Sequence, residues 1–72
     1  MRNFRFSIRD HGGNHREDTG WMELDDDYEA MNLGKAVIRD LLHGNATRYV
    51  GWTMDVTDGE RSVVSIPLRL PI

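Results

Sequence analysis

At 72 residues the chain has room for one domain, of a size that buries only about 60% of the surface its unfolded chain exposes. There is no cysteine, the formal charge is −3 and the isoelectric point lies near 5.4. No disulfide staples the fold, no thiolate is at hand as nucleophile or soft metal ligand, and no global positive field draws in a polyanion.

The opening segment MRNFRFSIRD alternates: Phe4, Phe6 and Ile8 are apolar, and Asn3, Arg5, Ser7 and Arg9 are polar. Such a pattern predicts a strand over 3–10 with one buried face. The same segment carries charges throughout and lacks the apolar run of about 7–15 residues found in a secretory signal. Nothing downstream approaches a membrane span. With no cysteine either, a cytoplasmic setting without membrane contact is expected.

The stretch DHGGNHRED, residues 10–18, follows. Its glycines and Asn14 suit a turn, and a second strand is expected over 19–24, with Met22 and Leu24 on one side and Trp21 and Glu23 on the other. The acidic triplet Asp25-Asp26-Asp27 precedes apolar residues at helical spacing, namely Ala30, Val37, Ile38, Leu41 and Leu42 with Gly34 among them. An amphipathic helix over 28–43 is predicted. Asp26 and Glu29 have the spacing of a capping box, and Gly44-Asn45 is where a left-handed C-terminal cap would fall. Ala30 and Gly34, both small, would let the helix approach a sheet closely.

A linker over 46–51 leads to Trp52, Met54 and Val56, which alternate with Thr53, Asp55 and Thr57 as a third strand. Asp58-Gly59 is a strong hairpin signal. Val64, Ile66 and Leu68 alternate with Ser65, Pro67 and Arg69 as a fourth strand, whose proline cannot donate a ladder bond and so belongs at a sheet edge. The expected fold is α+β, in the order ββαββ. If successive elements reverse direction, strand one can pair antiparallel with strand three but only parallel with strand four. This predicts a four-stranded antiparallel sheet of order 2-1-3-4, with the helix on one face. The expected core is Phe4, Phe6, Ile8, Met22, Leu24, Ala30, Val37, Ile38, Leu41, Trp52, Met54, Val56, Val64, Ile66 and Leu68.

These residues also carry a resemblance. Phe6-x-Ile8-Arg9-Asp10, Asp18-x-Gly20, Leu24, Asp27-Tyr28-Glu29-Ala30, Gly51-Trp52-x-Met54-x-Val56-x-Asp58 and Ile66-Pro67-Leu68 together resemble a family of small bacterial proteins described only as a domain of unknown function. The likeness spans nearly the whole chain. It implies a fold and supplies no catalytic residues.

Several clusters invite a chemical reading. His11 and His15 are four apart with acids nearby, and on a helix they would share a metal. In a glycine-containing loop that spacing sets no geometry, so a solvated hairpin loop is the simpler reading and metal binding is kept third. The aspartate triplet lacks the alternate-position acids, central glycine and distal glutamate of a calcium loop. Gly34-Lys35 has neither the upstream glycine nor the following hydroxyl of a phosphate loop. Asn45-Ala46-Thr47 matches a glycosylation acceptor by letter, which without a secretion signal carries no meaning. Ser7, Ser62 and Ser65 fall on or beside strands with no histidine among them, so nucleophilic catalysis has no base. No enzyme activity and no cofactor are expected.

The more informative feature is the sheet face away from the helix. Alternation places Arg5, Ser7, Arg9, Trp21, Glu23, Thr53, Asp55, Thr57, Ser65 and Arg69 there. Arginine and aromatic side chains are enriched at interfaces, so Arg5, Arg9, Trp21, Asp55 and Arg69 form a candidate partner surface. The plain alternative is cross-strand pairing of Arg5 or Arg9 with Asp55 and Glu23. The first expectation is a non-catalytic module that binds an unidentified protein, or a second copy of itself, through the open face or an edge. Strand four, with Val63, Val64 and the tail Leu70-Pro71-Ile72, is the expected edge for self-association. The second is nucleic-acid binding or regulation through Arg5, Arg9 and Arg69. That reading is disfavoured, because an RNA-binding sheet presents several stacking aromatics and this face has Trp21 alone.

Overall fold

A computed structural model of the chain describes residues 2–59 and 61–69, with the side chains of all of these except Asn45, Ala46 and Thr47. The elements are β1 (Arg2–Arg9), β2 (Arg16–Leu24), α1 (Asp27–Tyr49), β3 (Thr53–Asp58) and β4 (Arg61–Pro67). The strands form one four-stranded sheet of order β2-β1-β3-β4, antiparallel at every junction. Both the topology and the edge position of the proline-bearing strand follow the sequence reading.

The core forms where the alternation of β1 and β3 meets one stripe of α1. Phe4, Phe6, Ile8, Met54 and Val56 from the sheet are buried against Ala30, Ile38 and Leu42 from the helix, and Leu68 closes the far end. Gly34 sets the approach. A Cβ built there would lie 3.3 Å from Met54 Sδ and 3.5 Å from both Ile66 Cδ1 and Val56 Cγ2. At Gly34 the helix thus comes close to the sheet over β3 and β4.

The start of α1 follows its local sequence. The Glu29 backbone N–H donates to Asp26 Oδ1 at 2.9 Å, and the Asp25 N–H donates to Glu29 Oε1 at 3.2 Å. This is a reciprocal cap that satisfies donors the first turn leaves free. The end does not follow. The helix runs past the expected stop at Gly44-Asn45 to Tyr49, and the segment read as a linker over 46–51 is mostly helical. Gly44 has no positive φ; Gly51, at φ 90°, terminates the helix instead. The reason is tertiary. Tyr49 is buried and packs edge-on against Trp52, with ring centroids 5.2 Å apart. The Gly51 N–H donates to the Leu68 carbonyl at 3.2 Å, and the Leu68 N–H to that of Trp52 at 2.8 Å. Docking of this last turn outweighs the cost of a helical glycine, about 1 kcal/mol relative to alanine.

Two further expectations change. The second strand begins at Arg16 rather than Thr19, so Arg16, Glu17 and Asp18 belong to the strand and only 10–15 form the loop. Asp10 organises that loop: its backbone N–H donates to the His15 carbonyl at 3.0 Å, its carbonyl accepts from Gly13 N–H at 3.1 Å, and its carboxylate accepts from Asn14 N–H at 2.8 Å. Met22, placed in the core by alternation, is 47% exposed. It does lie on the helix-side face, opposite Phe4, where it borders a groove shared with Leu33 and Val37 and is only half covered by the helix. Leu24, Val37, Leu41, Trp52, Val64 and Ile66 are partly buried around the core, and Leu42 and Tyr49 join it beyond expectation.

An ion network ties the helix start to the sheet. Asp27 Oδ1 lies 3.0 Å from Arg2 Nη2 and 2.9 Å from Arg61 Nη2, while Asp58 Oδ2 lies 3.3 Å from Arg2 Nη1 and 3.1 Å from Arg61 Nη2. Hydrogen bonding from Arg61, followed by the charges of Arg61 and Arg2, holds the Asp27 carboxyl below its ordinary range. No helix of the described residues is long and apolar enough to cross a membrane.

Candidate interaction surface

The open face is built from β1 outward. Arg5, Ser7 and Arg9 point away from the helix because their neighbours Phe4, Phe6 and Ile8 point into it. Beside β1, the ladder with β2 pairs Phe6 with Gly20 but Ser7 with Asp18, so Thr19 is an extra residue in a bulge. The Thr19 hydroxyl donates to the Phe6 carbonyl at 2.8 Å, and the Gly20 N–H donates to Asp18 Oδ1 at 3.0 Å. Gly20, at φ 132°, adopts a backbone that other residues rarely reach. One extra residue reverses the facing of everything before it. Arg16, opposite Arg9, and Asp18, opposite Ser7, therefore share the open face with Trp21 and Glu23.

This bulge creates the pairing partners. Asp55, on β3 opposite Ser7, sits at the centre. Its Oδ2 lies 2.9 Å from Arg9 Nε and 3.3 Å from Arg16 Nη1, and its Oδ1 accepts from Ser65 Oγ at 2.7 Å. Arg16 also donates to Ser7 Oγ at 2.9 Å. Burial alone would raise the Asp55 pKa. The hydrogen bonds from Ser65 and Arg9 and the charges of Arg9 and Arg16 together outweigh it, and the carboxyl is held below its ordinary range. Arg5 pairs with Asp18 at 2.9 Å, not with Glu23.

Of the residues singled out from sequence, the structure brings Arg9 and Asp55 into contact and places Arg5 opposite Trp21. Arg69 lies beyond β4, where no strand register assigns it to the face. His11 and His15 are exposed on the loop, and among the described residues no group of three or more His, Cys, Asp or Glu side chains is placed to hold a metal. Sequence reasoning missed Arg16 and Asp18. Thr19-Gly20 was the available signal, since a glycine inside a strand pattern marks a bulge.

Electrostatically the face is balanced. The guanidiniums of Arg5, Arg9 and Arg16 stand among the carboxylates of Asp18, Glu23 and Asp55. A large aromatic side chain on this face stands in water: Trp21 is 62% exposed. It borders two depressions. A shallow one of about 350 Å³ on the open side is lined by Asn3, Phe4, Arg5, Trp21 and Gly59. A narrower groove of about 130 Å³ runs between β2 and the helix, lined by Phe6, Thr19, Gly20, Trp21, Met22, Leu33 and Val37. No polar or charged side chain among the described residues is fully buried.

No curated protein and no solved structure matches the chain. A family model does, over residues 3–69, a span that takes in the helix and all four strands from Asn3 onward. The chain belongs to that family, described as Domain of unknown function (DUF6894).

Proposed function

We propose that the chain is a small non-catalytic protein-interaction module of the cytoplasm, and that its contact surface is the β2 edge together with the adjoining part of the open face. The observation that carries this reading is the adjacency of Trp21 and Met22, 62% and 47% exposed, on a strand with no neighbouring strand on its outer side among the described residues. A tryptophan left in water at an edge is the kind of anchor that dominates interface energetics. An unpaired edge offers backbone donors and acceptors to an added strand. Arg5, Arg9 and Arg16, in contrast, are engaged by carboxylates. This weighs against phosphate recognition, for which those guanidiniums would have to leave their carboxylate partners.

Affinity capture from cell extract tests the reading when run in parallel with the wild-type chain, the double variant Trp21→Ser/Met22→Ser and the control Arg69→Ala. Proteins retained by the wild type and the control should be lost with the double variant. Equal retention by all three would remove β2 as the contact surface. Binding to mixed oligonucleotides at low salt should be absent; binding with a steep salt slope would replace this reading with the nucleic-acid one.

A further inference from the structure

We propose that the partner contacted by β2 presents a lysine- and arginine-rich segment in extended conformation, received along residues 20–29. The inference rests on β2 being the contact edge and deepens that reading by giving the partner's chemistry.

Two independent features converge on these residues. The first is apolar exposure. Among the described residues, the large apolar side chains that stand exposed are Trp21, Met22, Tyr28 and Val50, and all but Val50 fall within this span. The second is charge. Glu17 is paired with Arg48, Asp18 with Arg5, and Asp27 with Arg2 and Arg61. The exposed carboxylates of Glu23, Asp25, Asp26 and Glu29 have no such partner among the described residues. These four outnumber the formal charge of −3 on the whole chain, so the negative field is concentrated at this end of β2. Asp26 and Glu29 accept capping bonds from backbone N–H groups, which bring no full charge. The helix N-terminus itself offsets only about half a charge.

The exposed rings are open as well. Arg2 lies over Phe4 and Arg48 over Tyr49, with guanidinium carbons 5.3 and 5.1 Å from the ring centroids. Among the described residues no cation is placed in that way on Trp21 or Tyr28. A free ring face beside carboxylates attracts a cation through the negative face of its π-system and through the neighbouring charges. Lysine and arginine also carry apolar stems that cover exposed rings and thioethers while their heads reach acids. A mixed apolar and acidic surface therefore suits basic side chains better than wholly apolar ones. The same field repels the phosphates of a nucleic acid or an anionic lipid surface.

The strand decides where the segment lies. Past the bulge at Thr19, Gly20 to Leu24 keep an unbroken register with β1, so the regular edge is short and lies on the acidic side of the bulge. Trp21 and Glu23 project to the open side and Met22 to the helix side. A basic residue set over Trp21 thus has Glu23 next to it.

Random peptides of about twelve residues displayed on phage, selected on the intact chain, provide an unbiased probe of an extended partner. Enriched sequences should carry net positive charge, and Trp21→Ser/Met22→Ser should fail to enrich them. The strongest, synthesised with a fluorescent label, should bind Glu23→Gln/Asp25→Asn about fivefold more weakly than wild type, as expected for two exposed ion pairs. Moderate salt should weaken its binding to wild type by a similar factor. Neither side chain replaced accepts a hydrogen bond from a described residue, so the fold should be unchanged. The control Asp40→Asn, which removes an exposed carboxylate of the helix, should bind as wild type does. An equal loss with Asp40→Asn would overturn the inference, because net charge and not this surface would then be acting. Enrichment of neutral or acidic peptides would also overturn it, while the β2 contact reading would stand if their binding still required Trp21 and Met22. If enriched peptides bound the Trp21→Ser/Met22→Ser variant as tightly as wild type, both would fall. No enrichment at all would overturn the basic partner and leave the contact reading to the extract capture.

Discussion

The two edges of the sheet are built differently. β4 is an edge strand absorbed into the core: Val64 and Ile66 are half-buried on the helix side, Leu68 is fully buried just past its end, and Gly51 and Trp52 pin that end by backbone hydrogen bonds. β2 is longer, at nine residues against seven; neither strand holds a fully buried side chain within its bounds, but β2 has no neighbour equivalent to Leu68. It is held by its ladder to β1, by the Thr19 hydroxyl, and by surface ion pairs such as Arg5–Asp18 and Arg48–Glu17. Exposed pairs of this type contribute about 0–1 kcal/mol each. The difference teaches that two edge strands of one sheet can share an open backbone edge and differ in how far their side chains enter the core. On β4, the strand first expected for self-association, Val64 and Ile66 pack against the core. Its apolar tail Leu70-Pro71-Ile72 lies outside the described residues.

The sharpest way to break this comparison is to truncate one apolar side chain at each edge. Leu68→Ala should cost about 2–5 kcal/mol in urea denaturation, the range for large-to-small changes in a packed core. Met22→Ala should cost less than about 1 kcal/mol, since its side chain is half in water. Equal losses would mean that β2 is packed as firmly as β4. Next in size is Gly51→Ala, which forces a side chain into a positive-φ backbone at the point where the helix end meets β4. The same denaturation should show a loss of about 1–2 kcal/mol, and hydrogen exchange of the Leu68 amide should quicken.

Asp55 links the edges, paired by charge with Arg16 of β2 and accepting from Ser65 of β4, so acid should loosen both together. Its carboxyl has a lower pKa folded than unfolded. The stability it contributes is therefore fully present above the unfolded value of about 3.9 and is lost as pH falls through the folded one. Asp55→Asn should flatten the decline of stability below about pH 4, and an unchanged acid limb would show that the carboxylate adds nothing. The smallest effect is expected for Trp21→Ser, whose stability measured at low concentration should stay within about 0.5 kcal/mol of wild type. A larger loss there would mean that Trp21 serves the fold of the single chain.

Much of this architecture was legible in the sequence because the relevant signals are local. The alternation through Phe4, Phe6 and Ile8, the cap formed by Asp26 and Glu29, and the turn at Asp58-Gly59 act over a few residues and need no partner. The antiparallel order then followed from chain direction, and the proline in β4 placed that strand at an edge. The surface was less legible. Strict alternation carried past Thr19 puts Arg16 and Asp18 on the wrong side, and one extra residue there supplies the partners that neutralise Arg5 and share Asp55 with Arg9.

By itself, then, the sequence determined the element types, their order, the strand pairing and most of the core, since periodicity and turn chemistry are properties of short segments. Tertiary structure decided where the helix ends and how far it covers β2. Gly44 can end a helix and Gly51 does, because Tyr49 gains a buried site only if the helix continues. Met22 has the pattern of a core residue and is half exposed, because Leu33 and Val37 of the helix border its groove and cover it only in part. The half-covered strand, on which the proposed function rests, is thus a consequence of packing that no local signal around Trp21 and Met22 encodes.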